Sequence, residues 1–209
     1  MTKNNKNGQY KGKANMPKIV SEEERGLVKD AMYDATIGLI RKKGVRKVTV
    51  DDITEAVGIS KGAFYMYYPS KEVCIYEVLK QNEKALFARM EEIMQQDLRD
   101  RERCAALIRE VMLSQDSLIL FLSPADLEIL LRKLPAEYRE REAKKSDDYF
   151  KRSLELLKVG NDKMEAVAML TDCLSVVASN EMFSERGKQE ALDVLVMAMA
   201  DYISKEESV

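Results

Sequence analysis

The segment "GISKGAFYMYYPSKE", from Gly58 to Glu72, decides how this chain is interpreted. It places four aromatic rings within five positions of a chain that has only 9 Tyr, 5 Phe and no Trp. Ser60 is a residue type that caps helices, whereas Pro69 prevents a helix from continuing. The segment therefore predicts a helix of about two turns that begins near Lys61.

The side chains of this short helix divide between two faces. Phe64 and Tyr68 are four residues apart and are expected to point inward together, while Lys61 and Tyr65 are expected to point outward. Gly62 weakens a helix by about 1 kcal/mol relative to alanine. A glycine here makes sense if a partner approaches the backbone closely, and a sugar-phosphate strand is one such partner.

Two further helices are predicted before this one. Ser21 begins a helix of about six turns that ends in a cationic turn and Gly44. Thr49, with Asp52 three residues later, is typical of a capping box, and Gly58 ends that helix after two turns. Two short helices joined by a glycine-containing turn and packed on a longer one favour a helix-turn-helix domain over residues 21–69. An unrelated helical hairpin inside a bundle is the alternative.

The remaining sequence predicts more helices, because proline and glycine are sparse and apolar residues repeat at three and four. No segment alternates for long enough to predict a strand, so we expect an all-α fold. The expected helices cover approximately 70–96, 101–119, 124–134, 135–159, 162–183 and 187–205.

Composition argues against most enzyme classes. The chain has no His, which removes the Ser-His-Asp and Cys-His arrangements and most zinc sites. No glycine-rich phosphate loop is present. We therefore expect no enzymatic activity, no cofactor and no metal site. The three cysteines (Cys74, Cys104 and Cys173) are far apart, which favours reduced thiols over disulfides.

Charge is distributed unevenly along the chain. Residues 1–80 hold five more Lys and Arg than Asp and Glu, whereas residues 81–209 hold seven fewer. A basic N-terminal part suits a polyanion partner. Residues 1–20 lack the apolar run of a secretory signal, so we expect a cytoplasmic protein with a flexible basic tail that is either solvated or lies along a groove of DNA. No run is long enough for a membrane span.

The segment "TVDDITEAVGISKGAFYMYYPSKEVCIYEVL", which begins at Thr49, resembles the DNA-binding signature of the TetR/AcrR family of bacterial transcriptional regulators. The resemblance covers residues 22–80. It implies a homodimer whose two three-helix heads enter successive major grooves of a palindromic operator, with residues 61–67 as the recognition helix. The DNA contacts that it implies are Thr49, Ser60, Lys61, Gly62, Ala63, Tyr65, Tyr67 and Lys71.

Two of these positions depart from the family pattern. Ala63 stands where threonine is frequent, so a hydroxyl contact is lost, although alanine can still contact a thymine methyl group. Tyr67 stands where the family has a phosphate-binding histidine, so a hydrogen-bond donor is kept without a possible positive charge. Both departures leave DNA binding possible and change the operator that we expect.

Residues 70–209 are expected to form a ligand-binding and dimerisation domain. The last two predicted helices are apolar around much of their circumference, which fits helices buried against their own domain and a second subunit, or an ordinary monomer core. The predicted interface residues are Leu170, Leu174, Val177, Leu192, Leu195, Val196 and Met199. The predicted lining of a ligand cavity is Met112, Phe121, Leu130 and Met169.

The leading functional hypothesis is a ligand-responsive regulator, most simply a repressor that a small molecule releases from DNA. Its expected partners are double-stranded DNA, a second copy of the chain and an unknown small molecule, with no membrane. One alternative keeps DNA binding without a small-molecule inducer. Another is an all-α adaptor or enzyme in which the short helices are only structural.

Overall fold

The computed structural model describes residues 21–144, 159–180 and 182–205. Within these ranges the regular structure is helical and no strand occurs, which confirms the all-α prediction. The tail predicted for residues 1–20 lies outside them. The α-helices are α1 (Glu22–Lys43), α2 (Val50–Val57), α3 (Lys61–Tyr67), α4 (Lys71–Met94), α5 (Asp100–Leu107), α6 (Pro124–Lys133), α7 (Ala136–Lys144), α8 (Met164–Ser179) and α9 (Glu185–Ser204).

We call α1–α3 the head and the helices from α4 onward the body. The caps of the head helices are those that the sequence predicts. Ser21, Thr49 and Ser60 each accept a hydrogen bond from the backbone N–H three residues later. Gly58 ends α2 in the left-handed conformation at φ 76° and donates its N–H to the carbonyl of Thr54, a geometry that favours glycine. Local capping chemistry therefore sets the length of each head helix.

The head is held together by a hydrophobic core that continues into the body. Met32, Ile53 and Phe64, one from each head helix, are fully buried. They pack in one cluster with the first half of α4, where Tyr76 is fully buried, and with Leu130 of α6. The head and these body helices thus share one hydrophobic cluster, which we call the first core.

Two further clusters form the rest of the body. One joins α5, α8 and α9 and includes Ile108, Leu174 and Met199. The other joins the second half of α4 to α5 through residues such as Ile93 and Leu107. Because α4 contributes to the first and the third cluster, this single helix of 24 residues connects the core of the head to the far part of the body.

The helix predicted for 101–119 is shorter than expected. It ends at Met112, after a π-helical turn that follows α5. The loop beyond is held by tertiary hydrogen bonds: the Asn82 amide donates to the carbonyl of Asp116 at 2.6 Å, and Arg41 of α1 donates to two other carbonyls of this loop. These partners are distant in sequence, so a helical pattern alone misses them.

Other boundaries also move. The last helix was expected from residue 187 and begins at Glu185, because Ser184 caps it by accepting from Gly187 N–H at 3.1 Å. The helix predicted for 162–183 ends at Ser179. The helix predicted for 135–159 is described only as far as residue 144. In the described parts of the chain, none of the helices combines the length and apolar character needed to cross a membrane.

Candidate nucleic-acid interface

One face of α3 is open to solvent. Tyr65 is 54% exposed and Met66 is 73% exposed, and Lys61 and Gly62 beside them are also exposed. Tyr65 and Met66 are large side chains to leave uncovered in a globular protein. Three of the four, Lys61, Gly62 and Tyr65, are predicted DNA contacts, and the structure places them together on this surface.

The opposite face of α3 anchors the helix. Phe64 is fully buried, and its ring lies 5.9 Å from that of Tyr68 and 5.3 Å from that of Tyr65, the latter edge to face. Burial raises the pKa of Tyr68 to about 12, so its hydroxyl stays neutral. Tyr67 is half-buried and packs against the first core, so less of it is available to a partner than of Tyr65.

Gly62 has free space around its Cα atom. A Cβ atom built there would contact only Ser60 Oγ, at 3.8 Å. The fold itself therefore does not require glycine at this position, since neither its conformation nor its neighbours exclude a side chain. Ala63 is half-buried and donates its N–H to Ser60 Oγ at 3.1 Å, which caps the helix. An open backbone at the exposed start of α3 is consistent with close approach by a partner.

The two predicted lysine contacts differ in their surroundings. Lys61 pairs with Asp51 of α2 at 2.7 Å, and this hydrogen bond raises the pKa of the ammonium group. Both side chains are more than half exposed, and exposed ion pairs are weak, so a phosphate can replace Asp51. Lys71, at the start of α4, is half-buried and lies 3.8 Å from Glu72.

Thr49 is fixed by the capping box of α2. Its hydroxyl donates to Asp52 Oδ2 at 2.5 Å and accepts from Asp52 N–H at 3.2 Å. Asp52 also pairs with Lys43 of α1 at 2.5 Å. Together Lys43 and Thr49 lower the pKa of Asp52 to about 2. The network joins the end of α1 to the start of α2 and so orients the helix that precedes α3.

The head is similar to a known family of proteins. Residues 32–78 match a family model described as bacterial regulatory proteins of the tetR family. The head therefore carries a tetR-family segment. The matched segment begins inside α1, includes α2 and α3, and ends in the buried first half of α4, so it coincides with the helix-turn-helix and the core that supports it.

Curated relatives match the same part of the chain. A transcriptional repressor, KstR2 of Rhodococcus jostii, is 34% identical over 77 residues, which are 37% of this chain and 38% of the relative. The nucleoid occlusion factor SlmA of Haemophilus ducreyi is 33% identical over 72 residues, 34% of each chain. The chain thus matches little more than a third of the length of these relatives. A match of this length does not show that the chain shares the activities of these relatives.

Solved structures extend the similarity to the whole fold. The regulator SCO4454 of Streptomyces coelicolor aligns with a TM-score of 0.54 over 86% of this chain and 97% of its own, at 15% identity. The fatty acid degradation regulator FadR of Bacillus halodurans aligns with a TM-score of 0.51 over 87% of this chain and 96% of its own, at 16% identity. At such low identity the alignment establishes the fold alone, with a tetR-family head on a helical body.

The Asp52 network predicts an acid-sensitive contribution to the stability of this tetR-family head. The folded pKa of about 2 lies below the value of about 3.9 for an unfolded aspartate. The stabilisation is therefore present above pH 4 and is lost as the pH falls from about 4 towards 2. We expect Asp52→Asn to reduce the pH dependence of the free energy of unfolding in this window. Urea unfolding of both proteins at pH steps from 5 to 2 measures this free energy. If it falls with pH equally in the two proteins, the prediction is wrong.

Two cavities adjoin the loop between α5 and α6. The larger, of about 790 Å³, lies between α1, this loop and the ends of α8 and α9, and the smaller has a volume of about 260 Å³. Phe121 lines both cavities and Met112 lines the smaller, so the structure brings two of the predicted ligand-cavity residues together. Leu130 is buried in the first core instead, and Met169 is 65% exposed on α8. Neither lines these two cavities.

The predicted dimer residues differ in how much surface they present. Leu174, Val196 and Met199 are at most 1% exposed and lie in the core that α8 and α9 share with α5. These three side chains support that core and offer almost no surface to a second subunit, and their place in an interface stays a prediction. The other four also remain predictions. All are half-buried, and Leu170, Leu192 and Leu195 pack against the same core, while Val177 is the fourth.

The outer faces of α8 and α9 were not predicted from the sequence. On α8, Met169, Cys173 and Val176 are exposed at spacings of four and three residues, so they share one side of the helix. On α9, Val194 is 69% exposed and Tyr202 is 39% exposed. The helical spacing that reveals these faces is present in the sequence, but an almost wholly apolar helix does not show which side packs on its own domain.

Arg41 and Lys188 were also missed. Both line the two cavities, yet Arg41 was interpreted only as a cation in the last turn of α1. Its contacts lie more than 70 residues away in sequence, in a loop that was predicted to be helical. No local signal identifies such a residue.

Within the described ranges, no group of three or more His, Cys, Asp or Glu side chains is arranged to hold a metal ion.

Proposed function

We propose that this chain is a transcriptional regulator that binds a palindromic DNA operator as a homodimer and is released by a small molecule. The observation that carries the proposal is the exposed face of α3, where Lys61, Gly62 and Tyr65 lie together on a helix anchored by Phe64. A helix of this kind, presented by a tetR-family head, fits the major groove. The proposal involves binding without catalysis and places the protein with the bacterial chromosome, in the cytoplasm.

Within this proposal the contacts on α3 have different roles. Tyr65 and Ala63 read base edges or thymine methyl groups, while Lys61 exchanges Asp51 for a phosphate. Gly62 lets the strand approach the start of the helix. The remaining proposed contacts lie around α3 and bind the sugar-phosphate backbone: Thr49, Ser60, Tyr67 and Lys71.

The homodimer is proposed to form through the outer faces of α8 and α9. Exposed apolar side chains on two adjacent helices mark an interaction surface, and Met169, Val176 and Val194 are each more than 60% exposed. A two-fold axis places such a surface against its own copy, which forms a four-helix interface. The two heads are then held at a fixed separation, which selects the spacing of the operator half-sites.

Release by a small molecule needs a mechanical connection between body and head. The first core provides one, since Leu130 of α6 packs in the same cluster as Phe64 of α3. A second connection is the ion pair between Arg46, in the turn before α2, and Asp126 of α6. A ligand that shifts the helices of the body would therefore change the position of each head, and it acts by binding the DNA-incompetent arrangement more tightly.

Selection of bound sequences from a random pool of DNA duplexes, using the full chain, tests the proposal. We expect enrichment of a palindrome whose half-sites match a two-fold symmetric dimer. Affinity for the selected operator should fall with salt at a log-log slope of about −0.9 for each phosphate neutralised. A pool that yields no enriched sequence, or binding that does not respond to salt, would reject the proposed function.

A further inference from the structure

The two cavities beside the loop after α5 share a pair of cations. Arg41 of α1 and Lys188 of α9 line both, together with the Gln115 amide and the Phe121 ring. No carboxylate is common to both. Glu185 and Gln189 also line the smaller cavity, and its aliphatic and methionine side chains are Met112, Leu113, Leu120 and Leu192.

Arg41 has hydrogen-bond donors to spare. Its Nη1 group donates to the carbonyls of Ser114 at 3.0 Å and Ser117 at 2.9 Å, and its guanidinium carbon lies 4.5 Å from the centre of the Phe121 ring. The Nε and Nη2 groups make no hydrogen bond to any residue in the described ranges, and no carboxylate there forms an ion pair with this side chain. Burial lowers the pKa of Arg41, and the nearby Asp116 carboxylate only partly offsets this. A half-buried guanidinium with donors to spare and no close ion pair among the described residues favours an anionic ligand.

Lys188 adds a second, largely covered charge. Only 13% of its side chain is exposed, and its ammonium group lies 2.9 Å from the carboxylate of Glu185, which is 89% exposed. That carboxylate is well solvated and holds the ammonium weakly. Asp34 and Asp116 line only the larger cavity, and Glu185 lines only the smaller one, whereas both cations line the two cavities. Positive charge therefore prevails where the two cavities meet.

We propose that this junction binds a small organic anion, with its acidic group on Arg41 and Lys188 and its apolar part in the smaller cavity. The inference rests on the proposed function in taking this molecule as the effector. A planar guanidinium suits a carboxylate, which can accept two parallel hydrogen bonds from it. The adjoining Phe121, Met112 and Leu192 side chains then contact the apolar part of the ligand.

The position of Arg41 connects this site to the head. Arg41 lies in the last turn of α1, and two residues later Lys43 pairs with Asp52 of α2. An anion that takes the free donors of Arg41 therefore acts on the element from which α2 and α3 continue. Because linkage is reciprocal, binding of the operator changes affinity for the anion by the same factor as the anion changes affinity for the operator.

Isothermal titration of the free full-length chain tests the site. Octanoate and 4-phenylbutyrate serve as anionic probes, each compared with the alcohol and the amine of the same skeleton. We expect saturable binding of at least one carboxylate, one molecule per chain, and binding about tenfold or more weaker for its alcohol and its amine. Arg41→Gln and Lys188→Gln should each weaken carboxylate binding by a similar factor, whereas Lys29→Gln, a neutralised lysine on the exposed face of α1, should not.

Several results would overturn the inference: no saturable binding of either carboxylate, equal affinity for the alcohol, or unchanged affinity in both cation variants. Lys188→Gln guards against misfolding of Arg41→Gln, because the ion-pair partner of its ammonium group among the described residues is the exposed carboxylate of Glu185. Circular dichroism verifies the fold of both variants. The titration needs no DNA. Carboxylate binding without any selected operator would reject the proposed function alone, and a selected operator without carboxylate binding would reject this site alone.

Discussion

Combining Lys61→Ala with Tyr65→Ala is expected to lower affinity for the selected operator by about a hundredfold or more, because each contact is worth about 1–3 kcal/mol at a DNA interface. Both side chains are exposed on α3 and neither belongs to the core, so the helical content should not change. Loss of the Lys61 phosphate contact should also make the salt dependence less steep by about one unit of slope. Fluorescence anisotropy over a salt series measures both effects, and circular dichroism verifies the fold.

A charge-matched control separates this effect from loss of net charge. Lys84 is exposed on α4, outside the proposed interface, and Lys84→Ala should retain the affinity of the unmodified chain at a given salt concentration. If the double variant binds DNA as well as this control, the short helices have only a structural role. The adaptor or enzyme alternative would then become the better interpretation of the chain.

Val176→Asp is expected to convert the proposed homodimer into a monomer. Val176 is 62% exposed on the outer face of α8, where a two-fold axis would place it in an apolar interface against the other subunit. Burying an unpaired carboxylate there is strongly unfavourable. Operator affinity should fall by about 10²–10⁴, since the two heads no longer bind as one bivalent unit. Sedimentation equilibrium should show a change from twice the chain mass to the chain mass.

Leu27→Asp provides the matched control for the oligomeric state. Leu27 is 65% exposed, about as much as Val176, but it lies on α1 and outside the proposed interface. This variant should remain dimeric. A Val176→Asp protein that sediments as a dimer would show that the outer face of α8 does not mediate self-association, and a dimer would then have to use another surface.

Much of the head was predictable because its boundaries depend on neighbours in sequence. Capping by Ser21, Thr49 and Ser60 involves a backbone group three residues away, and Gly58 ends α2 through its own conformation. The inward position of Phe64 follows from helical spacing together with its size. These features are short-range, so one sequence suffices to identify them.

The body was less predictable because its decisive contacts are long-range. The end of the helix at Met112 depends on how Asn82 and Arg41 bind the loop that follows, and no proline or glycine marks that point. Likewise, Leu174 and Val176 are both apolar residues of α8, and only the packing of α5 and α9 makes one a core residue and leaves the other exposed. Hydrophobic pattern identifies a helix reliably but not its partner.

The continuity of the first core has a consequence for protein engineering. Phe64 of α3 is buried in one cluster with Tyr76 of α4 and with Leu118 and Leu130 further along the chain. Residues 21–69 transplanted onto an unrelated body would lose these neighbours and expose their apolar side chains to water. A new preference for DNA sequence is therefore better introduced by exchanging the outward residues of α3 alone, which leaves the packing between head and body in this core unchanged.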